Sequence, residues 1–173
     1  LLDRFRGRIA GCGAMHPYMS FPVDPEHAMS FKDVGFGVSA DSELLETLEE
    51  IVRGLGGVPV EISPEKRALY HLAAVISSNF SVFLEIIADI VLQKTGLETD
   101  VARLLVSRLM DSTRHNLNRT AAEDALSGPV VRKDWSTVHR HMDALNEALP
   151  EYESLYKEIA EAMARYCHGI QLP

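Results

Sequence analysis

The spacing of apolar residues changes period near Ser63, and that change organises the chain. Before it lie short β-like runs at 9–15, 35–39 and 58–62, with turn-formers between them. Between the last two, Leu44, Leu45, Leu48, Ile51, Val52 and Leu55 recur at helical spacing over 42–55, until Gly56 and Gly57 end the pattern. A strand, helix, strand unit closes a parallel sheet; three strands fall short of the usual ~5 to 6, so more are expected upstream. After Ser63 the period is helical throughout. Ser63 reads as an N-cap with Pro64 at the first helical position, and the pattern runs to Thr95 before Gly96, about 48 Å at ~1.5 Å per residue. A helix over 100–118 follows, capped by Thr99; Thr120 with Glu123 reads as a capping box for a short helix ended by Gly128 and Pro129. Asp134 then caps a helix to about Ala148, and Pro150 opens the last, striped by Tyr152, Leu155, Tyr156, Ile159, Met163 and Tyr166. The expected fold is an α/β remnant, the few-stranded and mostly parallel edge of a sheet over 1–62, followed by an all-α domain with a long central helix over 63–173.

Composition narrows the function classes. With 173 residues, 46% of them hydrophobic, the chain can bury a core, and a formal charge of −8 repels nucleic acid and anionic membrane surfaces. Cys12 and Cys167 form no CxxC pair and suit free thiols in a reducing cytoplasm; the chain opens on no secretory signal. The apolar stretch 69–92 is long enough for a bilayer, but His71, Asn79, Glu85 and Asp89 interrupt it. It therefore reads as a buried helix of a soluble protein.

Gly11-Cys12-Gly13 invites comparison with the dinucleotide fingerprint G-x-G-x-x-G, which needs a third small residue where the following helix packs on its strand. Here that position is His16, and Pro17 and Pro22 bracket a run without helical period. The stretch is instead a strand leading to a turn, its glycines marking a close approach of some other element.

On the central helix His71, Ser78 and Glu85 are seven apart and share a stripe, which Asp89 joins at i+4 and which Lys66 and Asn79 flank. For Glu85 and Asp89 a solvated face is the simpler account; His71, Ser78 and Asn79, amid apolar neighbours, fit either a pocket wall or a wet surface. On the next helix the apolar stripe Val101, Leu105, Leu109 passes into Thr113 and Asn116, which need partners in backbone, water or a ligand. Arg132, in the loop SGPVVRKDW, can fork onto a carboxylate or phosphate, or pair with a local acid. The histidines have no zinc spacing and no G-x-S-x-G elbow occurs, so neither a metal site nor a serine hydrolase is expected.

The segments HPYMSF, GFGVSAD, LGGVPVEISPEKRALYHLAAVISSNF, STRHN and ALSGPVVRKDWSTVHRHMDAL resemble successive motifs of an uncharacterised family of Rossmann-like, NADP-binding oxidoreductase-type proteins. That family is related in fold to pyrroline-5-carboxylate reductase and the 6-phosphogluconate dehydrogenase group. The resemblance implies the end of a nucleotide-binding domain plus a helical domain that pairs into a homodimer, with NADP as cofactor and a small-molecule substrate. It places His16, Pro17 and Ser20 on a loop after a late strand where nicotinamide and substrate meet, His16 and Pro17 touching the cofactor. His71, Ser78 and Asn79 would face that loop from the central helix. Relatives place a Lys and an Asn one helical turn apart; here Tyr70 stands four residues after Lys66, which leaves His71 as proton donor, an imidazole titrating near neutral pH. His16, His71 and Asn79 are then the catalytic candidates, with Ser20, Lys66, Ser78, Thr113, Asn116 and Arg132 as substrate contacts. The implied function is part of an NADP-dependent oxidoreductase transferring hydride, inactive without its upstream nucleotide-binding segment; the alternative is a non-catalytic helical pairing module.

Overall fold

The computed structural model describes residues 11–21, 24 and 30–173. Ile9, Ala10 and Pro22 lie outside the described residues. By packing, the chain divides into two units, Leu1–Phe83 and Leu84–Pro173. Secondary structure changes character at Ser63, whereas packing changes twenty residues later, inside the long helix.

The first unit is a three-stranded sheet with a helix on each face. Strand β1 (Gly13–Pro17) pairs antiparallel with β2 (Gly35–Ala40), which pairs parallel with β3 (Val58–Glu61). Helix α1 (Ser42–Gly54) makes the crossover from β2 to β3, which gives the parallel pairing expected of a strand, helix, strand unit. Side chains alternate across the sheet. Phe36 and Val38 turn to α1 and are buried with its Val52, while Gly37 and Ser39 turn to the opposite face. Gly13, on the α1 side, explains the glycines of the opening stretch. A Cβ there would stand 2.6 Å from Leu48 Cδ1 and 2.9 Å from the Ala40 Cβ, so the close approach is that of α1. Asp41, at the N-cap of α1, does not cap with its side chain; it accepts from the Cys12 amide at 2.7 Å, while its own amide donates to the Cys12 carbonyl at 2.9 Å.

The long helix is built in pieces: a 3-10 turn Pro64–Lys66, α2 (Arg67–Val75), a π turn Ile76–Phe80, then α3 (Ser81–Gln93), with Gly96 at φ +90° beyond it. The π turn is the feature that a uniform 3.6-residue period misses. Its extra residue offsets the faces before and after it, so His71 and Glu85 do not continue one stripe. Ser81 Oγ donates to the Ser77 carbonyl at 3.2 Å, taking up one of the acceptors that the wider turn leaves. The helix is not a buried one: no residue of its most apolar window is fully buried among the described residues. Glu85 and Asp89 are half-buried rather than on an open wet face, and Asp89 Oδ1 has no hydrogen-bond partner among the described residues.

The second unit adds α4 (Thr99–Leu117), the short α5 (Ala122–Ala125), α6 (Trp135–Ala148) and α7 (Glu153–His168). Val130, Val138, Ala160 and Ala164 form its buried centre, joined by Trp135, Met142, Tyr156 and Met163. The deepest contacts of α7 are therefore two alanines, which let α6 and α7 approach closely, rather than the larger stripe; Tyr166 is exposed and donates to Glu123 at 3.2 Å. Asp134 caps α6 as expected, accepting from the Thr137 amide and hydroxyl and from Ser136. Those hydroxyls, Thr137 first, hold its carboxyl below the usual range. The two other caps differ. Glu98 occupies the N-cap of α4 while the Thr99 hydroxyl donates to Gln93, and Ala121 occupies that of α5 because the Thr120 hydroxyl turns back to the Asn116 carbonyl. On α4 the inward residues are Ala102 and Val106; Val101, Leu105 and Leu109 are 45%, 49% and 69% exposed. Thr113 and Asn116 thus extend an uncovered face, not a core stripe.

Replacing Gly13 with alanine forces the new methyl against Ala40 and Leu48, and chemical denaturation is expected to show a loss of about 1–3 kcal/mol. An unchanged midpoint would mean that α1 is not held this close to β1.

Candidate functional site

On the face of the first unit's sheet away from α1 lies a hollow of about 200 Å³ lined by Ala14, His16, Gly37, Ser39, Ile62, Arg67, Tyr70 and His71. Alternation on β1 and β2 brings Ala14, His16, Gly37 and Ser39 to this face, and α2 lies over it with Arg67 and His71 one turn apart. Glycine at 37 makes room for Tyr70. A Cβ at that position would fall 2.8 Å from the tyrosine ring, so the ring occupies space that any other residue would fill. The Tyr70 hydroxyl accepts from the Gly37 amide at 3.0 Å and donates to the His16 carbonyl at 3.3 Å, tying α2 to both strands. Burial pushes this phenol up, against the pull of the Gly37 hydrogen bond.

The two imidazoles meet over this tyrosine. The rings of His16 and His71 stand edge to face with centroids 5.8 Å apart, and His16 and Tyr70 do so at 6.0 Å. Both histidines are exposed at the mouth. Arg67 Nη2 donates to the hydroxyl of the buried Ser39 at 2.6 Å, which holds an exposed guanidinium on the lining. The lining thus offers ring N–H groups, a hydroxyl and a guanidinium, and among the described residues it holds no carboxylate. Such a set can polarise a carbonyl or imine, deliver a proton, and hold an anion.

Of the residues singled out from the sequence, His16 and His71 are brought together. His16 and Pro17 lie within β1, paired with Gly37 and Phe36, and not on a loop after it, because the strand's hydrogen bonding extends through the proline. Ser20 and Lys66 are exposed outside the lining, and Ser78 and Asn79 fall in the π turn, also outside it. Thr113, Asn116 and Arg132 belong to the second unit and are exposed; the Thr113 hydroxyl is spent on the Leu109 carbonyl at 3.0 Å. The sequence reading missed Arg67, Gly37, Ser39 and the anchoring role of Tyr70. The i−4 spacing of Arg67 from His71 was the available signal. The second unit has its own cavity of about 660 Å³ between α3, α6 and α7, almost wholly apolar, with His141 Nδ1 and the Tyr156 hydroxyl paired at 2.8 Å on its wall. None of the sequence candidates lines it.

A family model for a domain of unknown function, DUF2520, matches residues 34–163. The chain belongs to the DUF2520 family. Among solved structures, this DUF2520 chain is similar to the putative NADP oxidoreductase BF3122 from Bacteroides fragilis, with TM-score 0.77 and 24% identity over 94% of this chain and 61% of that one. It is also similar to protein TM1727 from Thermotoga maritima, with TM-score 0.76 and 31% identity over 91% of this chain and 62% of that one. It spans about three-fifths of the length of each. A search of curated proteins gives no significant match. The DUF2520 chain therefore shares its fold with these two proteins. Gly13 is taken up by the packing of α1, and a strand rather than a helix follows Gly11 and Gly13. These residues do not form a phosphate-binding turn.

Tyr70→Phe removes both hydroxyl bonds and leaves the Gly37 amide unpaired. It is expected to cost about 1–2 kcal/mol in denaturant melts; no measurable loss would show that the hydroxyl does not hold α2 on the sheet.

Proposed function

We propose that this chain is the substrate-side portion of an NADP-dependent oxidoreductase acting on a small molecule, with the hollow beneath α2 as its reaction site. The observation that carries the reading is the meeting of His16 and His71 at 5.8 Å over a lining without carboxylates. In this reading His71 delivers or accepts the proton that accompanies reduction or oxidation of the substrate carbon, and His16 orients the reacting oxygen or nitrogen. Tyr70 positions His16 through its carbonyl. The grip on the cofactor's phosphates is assigned to sequence other than the described residues. The fold of BF3122, and the description of that protein as a putative NADP oxidoreductase, support this assignment. In the natural full-length protein, NADPH fluorescence is expected to change saturably on titration with enzyme. His71→Ala should leave the melting temperature unchanged while lowering turnover roughly a hundredfold. No response of NADPH fluorescence would overturn the reading.

A second observation concerns assembly. Nine large apolar side chains along 64–93, from Leu69 to Val91, are between 37% and 67% exposed. Exposed apolar side chains concentrated on one helix mark an interaction surface. We propose that a second copy of this chain covers them, forming a homodimer. Sedimentation should give a dimer that Phe83→Glu converts to monomer with its helical circular dichroism intact. A monomer at all concentrations, or co-sedimentation with neutral lipid vesicles instead of self-association, would overturn the pairing.

A further inference from the structure

The hollow beneath α2 is smaller than the roughly 300–1,000 Å³ that encloses a whole small-molecule ligand. It can admit one end of a ligand, and its chemistry says which end. Arg67 carries five N–H donors, of which the geometry commits one nitrogen to Ser39. That bond fixes the guanidinium plane while the rest of the fork remains at an exposed position. His16 and His71 each offer at least one ring N–H in either neutral tautomer, and both belong to the same lining as the guanidinium. Every ionisable group of the lining other than the Tyr70 phenol is a base. Glu65, on the preceding 3-10 turn, is an exposed acid two residues before Arg67. Its carboxyl is held down first by a backbone amide and by Ser63, and only afterwards by the charges of Arg67 and Lys66.

We infer that this hollow binds a small oxyanion, a carboxylate or phosphoryl group at one end of the substrate, with Arg67 as its bidentate anchor and the two histidines closing over it. Arg67 is then a specificity-determining residue, because a neutral isostere leaves its fork unpaired in the hollow. The inference rests on the hollow being the substrate site proposed above, but it is testable without cofactor.

The test follows the side-chain ¹⁵N resonances of His16, His71 and Arg67 in the natural full-length protein as acetate, inorganic phosphate and neutral acetamide are added in turn. Saturable shifts of all three residues are expected with acetate or phosphate, whichever binds tighter naming the group, and none with acetamide. Arg67→Gln should weaken that anion at least tenfold. Arg67→Lys, which keeps the charge but loses the fork and guards against loss of fold, should weaken it by a smaller factor. Shifts equal for acetate and acetamide, absence of saturation, or wild-type affinity in folded Arg67→Gln would each overturn the inference. Saturable anion binding in a protein that leaves NADPH fluorescence unchanged would sustain the anion site and overturn only the oxidoreductase reading. An NADPH response without anion binding would do the reverse.

Discussion

The candidate site depends on one contact, the Tyr70 ring seated on the bare backbone of Gly37. It places a helix on the second face of a thin sheet, opposite Ala14, His16, Gly37, Ser39 and Ile62. Because the hydroxyl bonds to two adjacent strands at once, it fixes the helix in height as well as in distance. Arg67 and His71 flank Tyr70 on α2, so seating the tyrosine also sets the position of the guanidinium and the second imidazole. The half-buried phenol keeps its proton more firmly than a free one, which preserves the donor that His16 needs.

The two faces of the sheet do different work. Toward α1 they are apolar and closely packed, through Phe36, Val38 and Val52, and glycine at 13 admits Leu48. Toward α2 they leave a hollow, where His16 and Ser39 stand among Ala14, Gly37 and Ile62. Strand alternation alone produces this division, since the same five or six residues supply both the packed face and the reactive one.

Much of this was legible in the residues. The α1 crossover, the Asp134 cap, the proline-opened last helix and the pairing of His16 with His71 follow from period, cap chemistry and motif resemblance. Three features did not. The π turn has no marker in Ile76–Phe80 that a uniform period would register, and it broke the heptad link between His71 and Glu85. The apolar stripe Val101, Leu105, Leu109 is indistinguishable by periodicity from a core stripe, because an exposed apolar face has the same spacing as a buried one. Ser39 and Arg67 lie 28 residues apart, and only the parallel return of the chain through α1 brings them within bonding distance.

The pair of bonds between Asp41 and Cys12 acts as a register lock on β1. Tyr18, whose amide donates to the Gly35 carbonyl at 2.7 Å, closes the other end. A slip of one residue between β1 and β2 would invert every side chain of β1, swinging His16 beneath the sheet and offering Met15 to the arginine in its stead. An aspartate outside both described cavities thereby decides whether an imidazole or a thioether meets incoming solute, and selection for chemistry at one end of the strand would be felt as selection for geometry at the other.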